Sequence, residues 1–290
     1  MYYLRLFDPW KNKLCTCPPK YSLSPYTGCS HFCLYCYATS YIGLRKSMPK
    51  KDFLRRLARD LAKADKHLPV SISNSSDPYP PEERSVGLTR ATLSLLREKG
   101  IGVMIVTKSD MVLRDIDILT EGGFAVSLTI TTLDHNLARR LEPAAPPPEK
   151  RLRAVEVLSE NGVSVVVRID PVIPGLTDMD EDLIELVDNV VDAGAKHVVT
   201  STYKAKPDNF ARMLRAFPEK AETWRELYLN RGERIGGYWY LPRNLRERML
   251  QPVTLQARKR GITYATCREG LTAKRFFNAP TCDCTHLLRT

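Results

Sequence analysis

Apolar residues fall into two alternating patterns along this chain. Short runs rich in Val and Ile occupy 69–74, 101–107, 124–130, 163–169 and 196–202. Between them apolar positions recur at helical spacing. Over 51–66, KDFLRRLARDLAKADK, the residues Phe53, Leu54, Leu57 and Leu61 share one face. Further helices are predicted over 88–99, 110–119, 134–141, 149–160 and 180–194, with Gly100 and Gly194 as stops. YSLSPYT supplies a first strand that ends just before Cys29. Six strands, each followed by helix, call for parallel pairing through right-handed crossovers. Continuous Val/Ile runs suit a parallel sheet covered on both faces. The fold class is therefore α/β, and its sheet is either open and doubly wound or curved into a partial barrel. Past residue 203 the pattern turns helical, over 207–217, 219–229 and 244–260, and ends in a Cys-bearing tail. The expected organisation is an N-terminal segment 1–20, a core 21–203 and a helical extension 204–290. EPAAPPPEK reads as a rigid turn into a helix.

A chain of 290 residues can bury a full core without staples. Its eight cysteines are too sparse for a small disulfide framework. MYYLRLFDPWKNKLCTCPPK has no apolar run followed by a small-residue cleavage site, and no segment of about 18 apolar residues predicts a membrane span. The expectation is a cytoplasmic, reducing setting, where clustered cysteines suggest metal. The net charge of +11 favours polyanions, nucleic acid first. The basic residues gather between Arg45 and Lys66, between Arg139 and Arg153, and between Arg243 and Arg260.

The chemistry concentrates in YTGCSHFCLYCYATSY. It spaces Cys29, Cys33 and Cys36 as C-x3-C-x2-C and sets Phe32, Tyr35 and Tyr37 among them. Three is odd, and the loops are too short for good disulfide geometry. Three thiolates can instead hold three corners of a cube-shaped [4Fe–4S] cluster, leaving one iron open to a ligand that is not protein. A zinc site with His31 as fourth ligand is the competing reading.

The motif resembles the signature of the radical S-adenosylmethionine (SAM) superfamily, with an aromatic, Tyr35, just before the third cysteine. That resemblance implies a partial (β/α)6 parallel barrel. It also implies SAM at the open iron, a 5′-deoxyadenosyl radical from its cleavage, and an electron donor such as ferredoxin or flavodoxin. Barrel chemistry lies at the C-terminal strand ends. There the chain places Asn74, Ser75, Ser76 and Asp77, then Lys108, then Ser127, Thr129 and Thr131, then Arg168 and Asp170. Several phrases, GCSHFCLYCYATSY, SSDP, VTK, LEP with RLRA, and YKAKPDNFARMLRAFP, are similar to landmarks of the spore photoproduct lyase branch in the same order. By that resemblance Lys108 and Ser127 or Thr129 contact SAM, with Ser76, Asp77 and Arg168 nearby, and Tyr35 and Tyr37 line the site. In that branch a cysteine near the Ser–Asp turn returns a hydrogen atom to the product. This chain has no cysteine between Cys36 and Cys267, and Tyr79 is the available stand-in.

Five thiols lie outside the motif: Cys15 and Cys17 near one end, and Cys267, Cys282 and Cys284 near the other. They suggest a second, auxiliary [4Fe–4S] cluster on four of the five. A zinc site or plain buried cysteines are the alternatives. The leading functional expectation is a lyase-like or repair-like radical SAM enzyme acting on DNA or RNA. The alternatives are radical SAM modification of a peptide, protein or small molecule, and a zinc-bound nucleic-acid module without catalysis.

Overall fold

The structure is a computed structural model, and it describes residues 1–7, 13–73 and 75–288. Eight strands form one sheet. In spatial order they are Arg5–Leu6, Tyr21–Leu23, Val70–Ile72, Val103–Thr107, Phe124–Thr129, Ser164–Val172, His197–Thr202 and Thr263–Thr266. The first pair is antiparallel, and every later neighbour is parallel. The six expected strands are present, and spatial order follows chain order, as successive right-handed crossovers require. Thr263–Thr266 adds a further parallel strand, in a stretch that the sequence reading left unassigned between the helix 244–260 and the tail. The helix Arg243–Lys259 makes its crossover, and Gly261, at φ +74°, turns the chain back towards the sheet.

Period-two alternation divides each strand between two environments. Val103, Ile105, Val126, Leu128, Val165, Val167, Ile169 and Val198 join the large core beneath the helices. Met104, Val166 and Val199 face the other way and form a second, smaller apolar cluster. Cys284 and Leu287 of the tail complete it. The tail therefore runs along the inner face of the sheet. At Gly102 an added Cβ would lie 3.3 Å from Leu288 Cδ1, so the tail reaches the N-terminal end of a central strand.

The helices form as their spacing requires. In Asp180–Asp192 the residues Leu183, Leu186, Val187 and Val190 are buried, and Asp180, Glu181 and Asp182 stand in the first turn, where the helix dipole favours negative charge. Phe53, Leu57 and Leu61 form the buried face of Phe53–Leu61. The helix expected over 219–229 is less regular: Ala221–Arg225 runs into a π-helical turn at Glu226–Asn230. The hairpin Glu233–Ile235 and Tyr238–Tyr240 follows. Among the described residues no helix is long and apolar enough to cross a membrane.

Candidate active site

The loop carrying Cys29, Cys33 and Cys36 is fixed at both ends. It leaves the first parallel strand through the short pairing of Tyr26–Thr27 with Met48–Pro49. Gly28 has φ +74°, and a Cβ there would lie 2.2 Å from the Lys46 carbonyl oxygen, so only glycine fits this approach. Cys29 N donates to the Arg45 carbonyl at 2.9 Å. The amides of Ser30 and Ser47 each donate to the other's hydroxyl, at 3.1 and 2.9 Å. The far end is clamped by the helix Pro207–Ala216. Asn209 Nδ2 donates to the Tyr35 carbonyl at 2.8 Å, and Arg212 donates to the carbonyls of Leu34 and Cys36 at 3.2 and 3.0 Å. The loop's carbonyls are thus held by protein, while its thiols border open space.

That space is a cavity of about 240 Å³ beyond the C-terminal strand ends. Cys29, Cys33, Cys36, Tyr35 and Tyr37 line it, with Ser76, Asp77, Lys108, Thr129 and Arg168. Cys15, Cys17, Cys267 and Cys282 line the same cavity. Four residues to which the sequence pointed, Ser127, Thr131, Tyr79 and Cys284, are not part of its lining, and the Tyr79 hydroxyl, the expected stand-in for the cysteine, is buried and donates to Asp115 at 3.0 Å. Ser127 pairs with Val166 two pairs below Thr129–Arg168, and its buried hydroxyl has no partner among the described residues. Cys284 Sγ lies 3.4 Å from Met104 Sδ in the apolar cluster, which makes it packing rather than lining. Asn74 lies outside the described residues.

Charge is organised by buried pairs. Behind the cluster loop, Arg151 Nη2 meets Glu142 Oε2 at 2.5 Å, with both side chains essentially inaccessible. The Tyr35 hydroxyl donates to the same carboxylate, and Lys108 Nζ lies 5.5 Å from the centre of the Tyr35 ring. Burial opposes the Lys108 ammonium, but Cys33 and Glu142 outweigh it and raise its pKa. On the other side, Arg168 Nη2 meets Asp170 Oδ2 at 2.6 Å, and the Ser201 hydroxyl donates to Asp170 at 2.5 Å. Burial pushes the Cys29 thiol up to about 11 and the Cys33 thiol well above its ordinary value. As thiolate ligands these groups need a compensating metal charge.

Asp77 anchors the turn that follows Val70–Ile72. Its carboxylate accepts from Tyr79 N at 2.9 Å, Thr107 Oγ1 at 2.7 Å and Lys108 N at 2.8 Å, and His31 Nδ1 lies 3.4 Å away. Burial opposes its charge, yet His31 and these donors hold its pKa at about 2. The folded value lies below the ordinary ~3.9, so the stabilisation is present above about pH 4 and is lost as pH falls towards about 2. Asp77→Asn should therefore cost about 2 kcal/mol at neutral pH. Urea unfolding of parent and variant at a series of pH values checks this. A gap that stays constant into acid would show that the carboxylate charge is not what stabilises the turn.

The two ends of the chain meet at this cavity. Cys17 Sγ and Cys282 Sγ are 3.4 Å apart, and Lys20 forms a buried ion pair with Asp283. Among the described residues no three His, Cys, Asp or Glu donors converge as a single ion requires. A cube-shaped cluster takes each thiolate on a separate iron. His31, the fourth ligand in the zinc reading, is turned to Asp77. The soft donor set fits the cluster that the C-x3-C-x2-C spacing calls for.

Sequence reasoning noticed LEP and RLRA but not their joint meaning, which is the Glu142–Arg151 pair behind Tyr35. It also missed Asn209 and Arg212 as carbonyl clamps, and Arg268 on the cavity wall. Both clamps lie within YKAKPDNFARMLRAFP, so that phrase carried the available signal. Two members of the basic segments, Arg151 and Arg246, are buried and ion-paired, and so add nothing to a solvent-facing patch.

Several known proteins are similar to this chain. A protein of Methanocaldococcus jannaschii described as uncharacterized is 35% identical over 176 residues, which span 56% of this chain and 63% of that protein, less than two thirds of its length. An uncharacterized protein of Mycobacterium tuberculosis is 28% identical over 255 residues, 81% of this chain and 73% of its own. Spore photoproduct lyase complexed with dinucleoside spore photoproduct superposes with a TM-score of 0.67 at 13% identity, covering 85% of this chain and 75% of that one. Streptococcus suis SuiB bound to S-adenosylmethionine gives 0.51 at 20% identity, covering 71% of this chain and 48% of its own. These likenesses show a shared partial-barrel fold. The model of the Radical SAM superfamily matches residues 23–187, more than half of the chain and the stretch that builds the cysteine loop and four of the strands beyond it, so the chain belongs to the radical SAM superfamily.

Proposed function

We propose that this protein is a radical SAM enzyme acting on a nucleic acid, in a lyase-like or repair-like reaction. The observation that carries the reading is the meeting of Cys29, Cys33 and Cys36 with Lys108, Ser76, Asp77, Thr129 and Arg168 on one cavity. Cys29, Cys33 and Cys36 would hold a [4Fe–4S] cluster. When bound and reduced by a donor such as ferredoxin or flavodoxin, it supplies the electron that cleaves the SAM sulfonium and releases a 5′-deoxyadenosyl radical. Lys108 offers a cation for the SAM carboxylate, and the Ser76 hydroxyl, without a partner among the described residues, offers an acceptor for its amino group. Asp77 has its oxygens engaged by the Lys108 and Tyr79 amides, so it positions these contacts more than it makes them. Thr129 and Arg168, paired across adjacent strands, suit the ribose side. Tyr35 and Tyr37 wall the cavity and exclude water. A nucleic-acid substrate is supported by the net charge of +11 and by the likeness to spore photoproduct lyase. Incubation with SAM and dithionite under anaerobic conditions, with detection of 5′-deoxyadenosine, tests the chemistry. Colourless protein that binds zinc stoichiometrically would defeat it.

Cys15, Cys17, Cys267 and Cys282 would hold an auxiliary [4Fe–4S] cluster, and Cys284 is left out because it does not line the cavity. Iron should then approach about eight per chain after anaerobic reconstitution, four for each cluster. Deletion of residues 280–290 should halve that figure and lower thermal stability, since it removes Cys282 and the buried Asp283 partner of Lys20. A truncated protein with its full iron complement would exclude the second cluster. The same tail favours a second reading, modification of a peptide, protein or small molecule, because its Cys282 and Asp283 line the cavity. Salt-independent or absent binding of nucleic acid would decide for it.

A further inference from the structure

Arg268 directly follows the last strand of the sheet and lines the cavity. It is 7% exposed, and among the described residues its Nη1 has no hydrogen-bond partner. Its backbone has φ +55°, a region where a residue with a Cβ is strained and which persists where its surroundings impose it. The guanidinium lies 4.6 Å from the centre of the Tyr37 ring and 5.2 Å from that of Tyr238. The carboxylates of the neighbouring segments are committed elsewhere. Glu269 accepts from Thr202 N and Lys204 Nζ, each at 2.8 Å, and Asp170 is engaged by Arg168 and Ser201. A desolvated cation with an orphaned donor, facing open space between two aromatic rings, is arranged to receive an oxyanion.

Its place in the fold separates that oxyanion from SAM. Ser76 and Lys108 follow the second and third parallel strands and Thr129 ends the fourth, whereas Arg268 follows the seventh. A second cation continues outwards from it, since Lys206 Nζ lies 4.5 Å from the centre of the Tyr238 ring and donates to Ser40 Oγ at 3.0 Å. Successive cations on an aromatic track suit a chain of phosphates better than a single carboxylate.

We propose that Arg268 binds a backbone phosphate of the nucleic-acid substrate, with Tyr37 and Tyr238 holding its guanidinium in place. This rests on the nucleic-acid reading above. The experiment is fluorescence anisotropy of a labelled single-stranded DNA oligonucleotide on reconstituted protein across a potassium chloride series. Arg268→Gln should weaken binding about tenfold and lower the slope of log K against log salt by about 0.7, one phosphate contact on a single strand. Iron content and SAM affinity should not change. Arg268→Lys should keep the slope and lose part of the affinity, because it keeps the charge without the fork. Unchanged affinity and slope in Arg268→Gln would overturn the assignment while the nucleic-acid reading stands. Loss of SAM affinity or of iron, with oligonucleotide binding intact, would assign the guanidinium to SAM or to a cluster and overturn it as well. Parent protein with no salt-dependent binding would remove the nucleic-acid reading and the assignment together. Should Arg268→Gln not fold, Arg268→Lys decides: weaker binding with unaltered melting supports the assignment, and unaltered binding overturns it.

Discussion

Alanine at Cys29, Cys33 or Cys36 abolishes formation of 5′-deoxyadenosine from SAM: this is the largest effect expected of any single change in the molecule. The loss should exceed about a hundredfold, since changing even the partners that orient metal ligands costs ten- to a hundredfold. The reason lies in how the loop is built. Asn209 and Arg212 hold its carbonyls, and Gly28 sets its entry, so the three thiols have one arrangement. Each variant should also lose the iron of this site, measured after anaerobic reconstitution. Cys284→Ala is the internal contrast. Its sulfur packs against Met104, so its removal should cost about 1 kcal/mol as a small cavity while iron and SAM cleavage persist. Full cleavage activity in any of the three loop variants would contradict the assignment of that cysteine.

The contrast between Cys36 and Cys284 also shows where sequence reasoning reaches and where it stops. Cys29, Cys33 and Cys36 are close in the chain, so spacing alone implied that they act together. The strands were legible for a similar reason: Val165, Val166 and Val167 are all fully buried, as a Val run in a doubly covered parallel sheet must be. The strand Thr263–Thr266 was not legible, because it is short, and its polar threonines pair along an edge rather than inside a Val/Ile run. The five remaining cysteines looked equivalent in sequence. Only the path of the tail separates Cys282, at the cavity, from Cys284 two residues later, in the apolar cluster on the inner face of the sheet. The same limit hid Ser127, which shares a face with Thr129 but stands two pairs deeper. Period-two alternation gives the face and says nothing of depth. Glu142 and Arg151 were noticed as parts of two phrases. Their pairing depends on the turn through the Pro-rich segment and was invisible until the helix Pro148–Glu160 was placed against the sheet.

That pair is the source of the second large effect. Glu142→Gln should destabilise the protein by about 3–5 kcal/mol, because it leaves the Arg151 guanidinium buried without its counter-charge. For a chain of this size the melting temperature should fall by about 10 °C. The damage should extend to the cysteine loop. The Tyr35 hydroxyl donates to Glu142, and Arg151 also donates to the Thr129 carbonyl at 3.1 Å and the Pro146 carbonyl at 2.6 Å. One ion pair thus ties the loop, the end of a central strand and the turn after Leu141 together. The effect should depend on pH in a stated direction. Burial opposes ionisation of Glu142, but Arg151 and Lys108 outweigh it and hold its pKa below the ordinary carboxylate value. Its stabilisation is therefore complete above the unfolded value of about 4.3 and is lost as pH falls through the lower folded value. Melting curves of parent and variant should differ most near neutrality and converge in acid. The double variant Glu142→Gln with Arg151→Met should recover part of the loss, since an apolar side chain of similar volume leaves no unpaired charge. A double variant no more stable than Glu142→Gln alone would show that the arginine's carbonyl contacts, rather than its charge pairing, hold this part of the site.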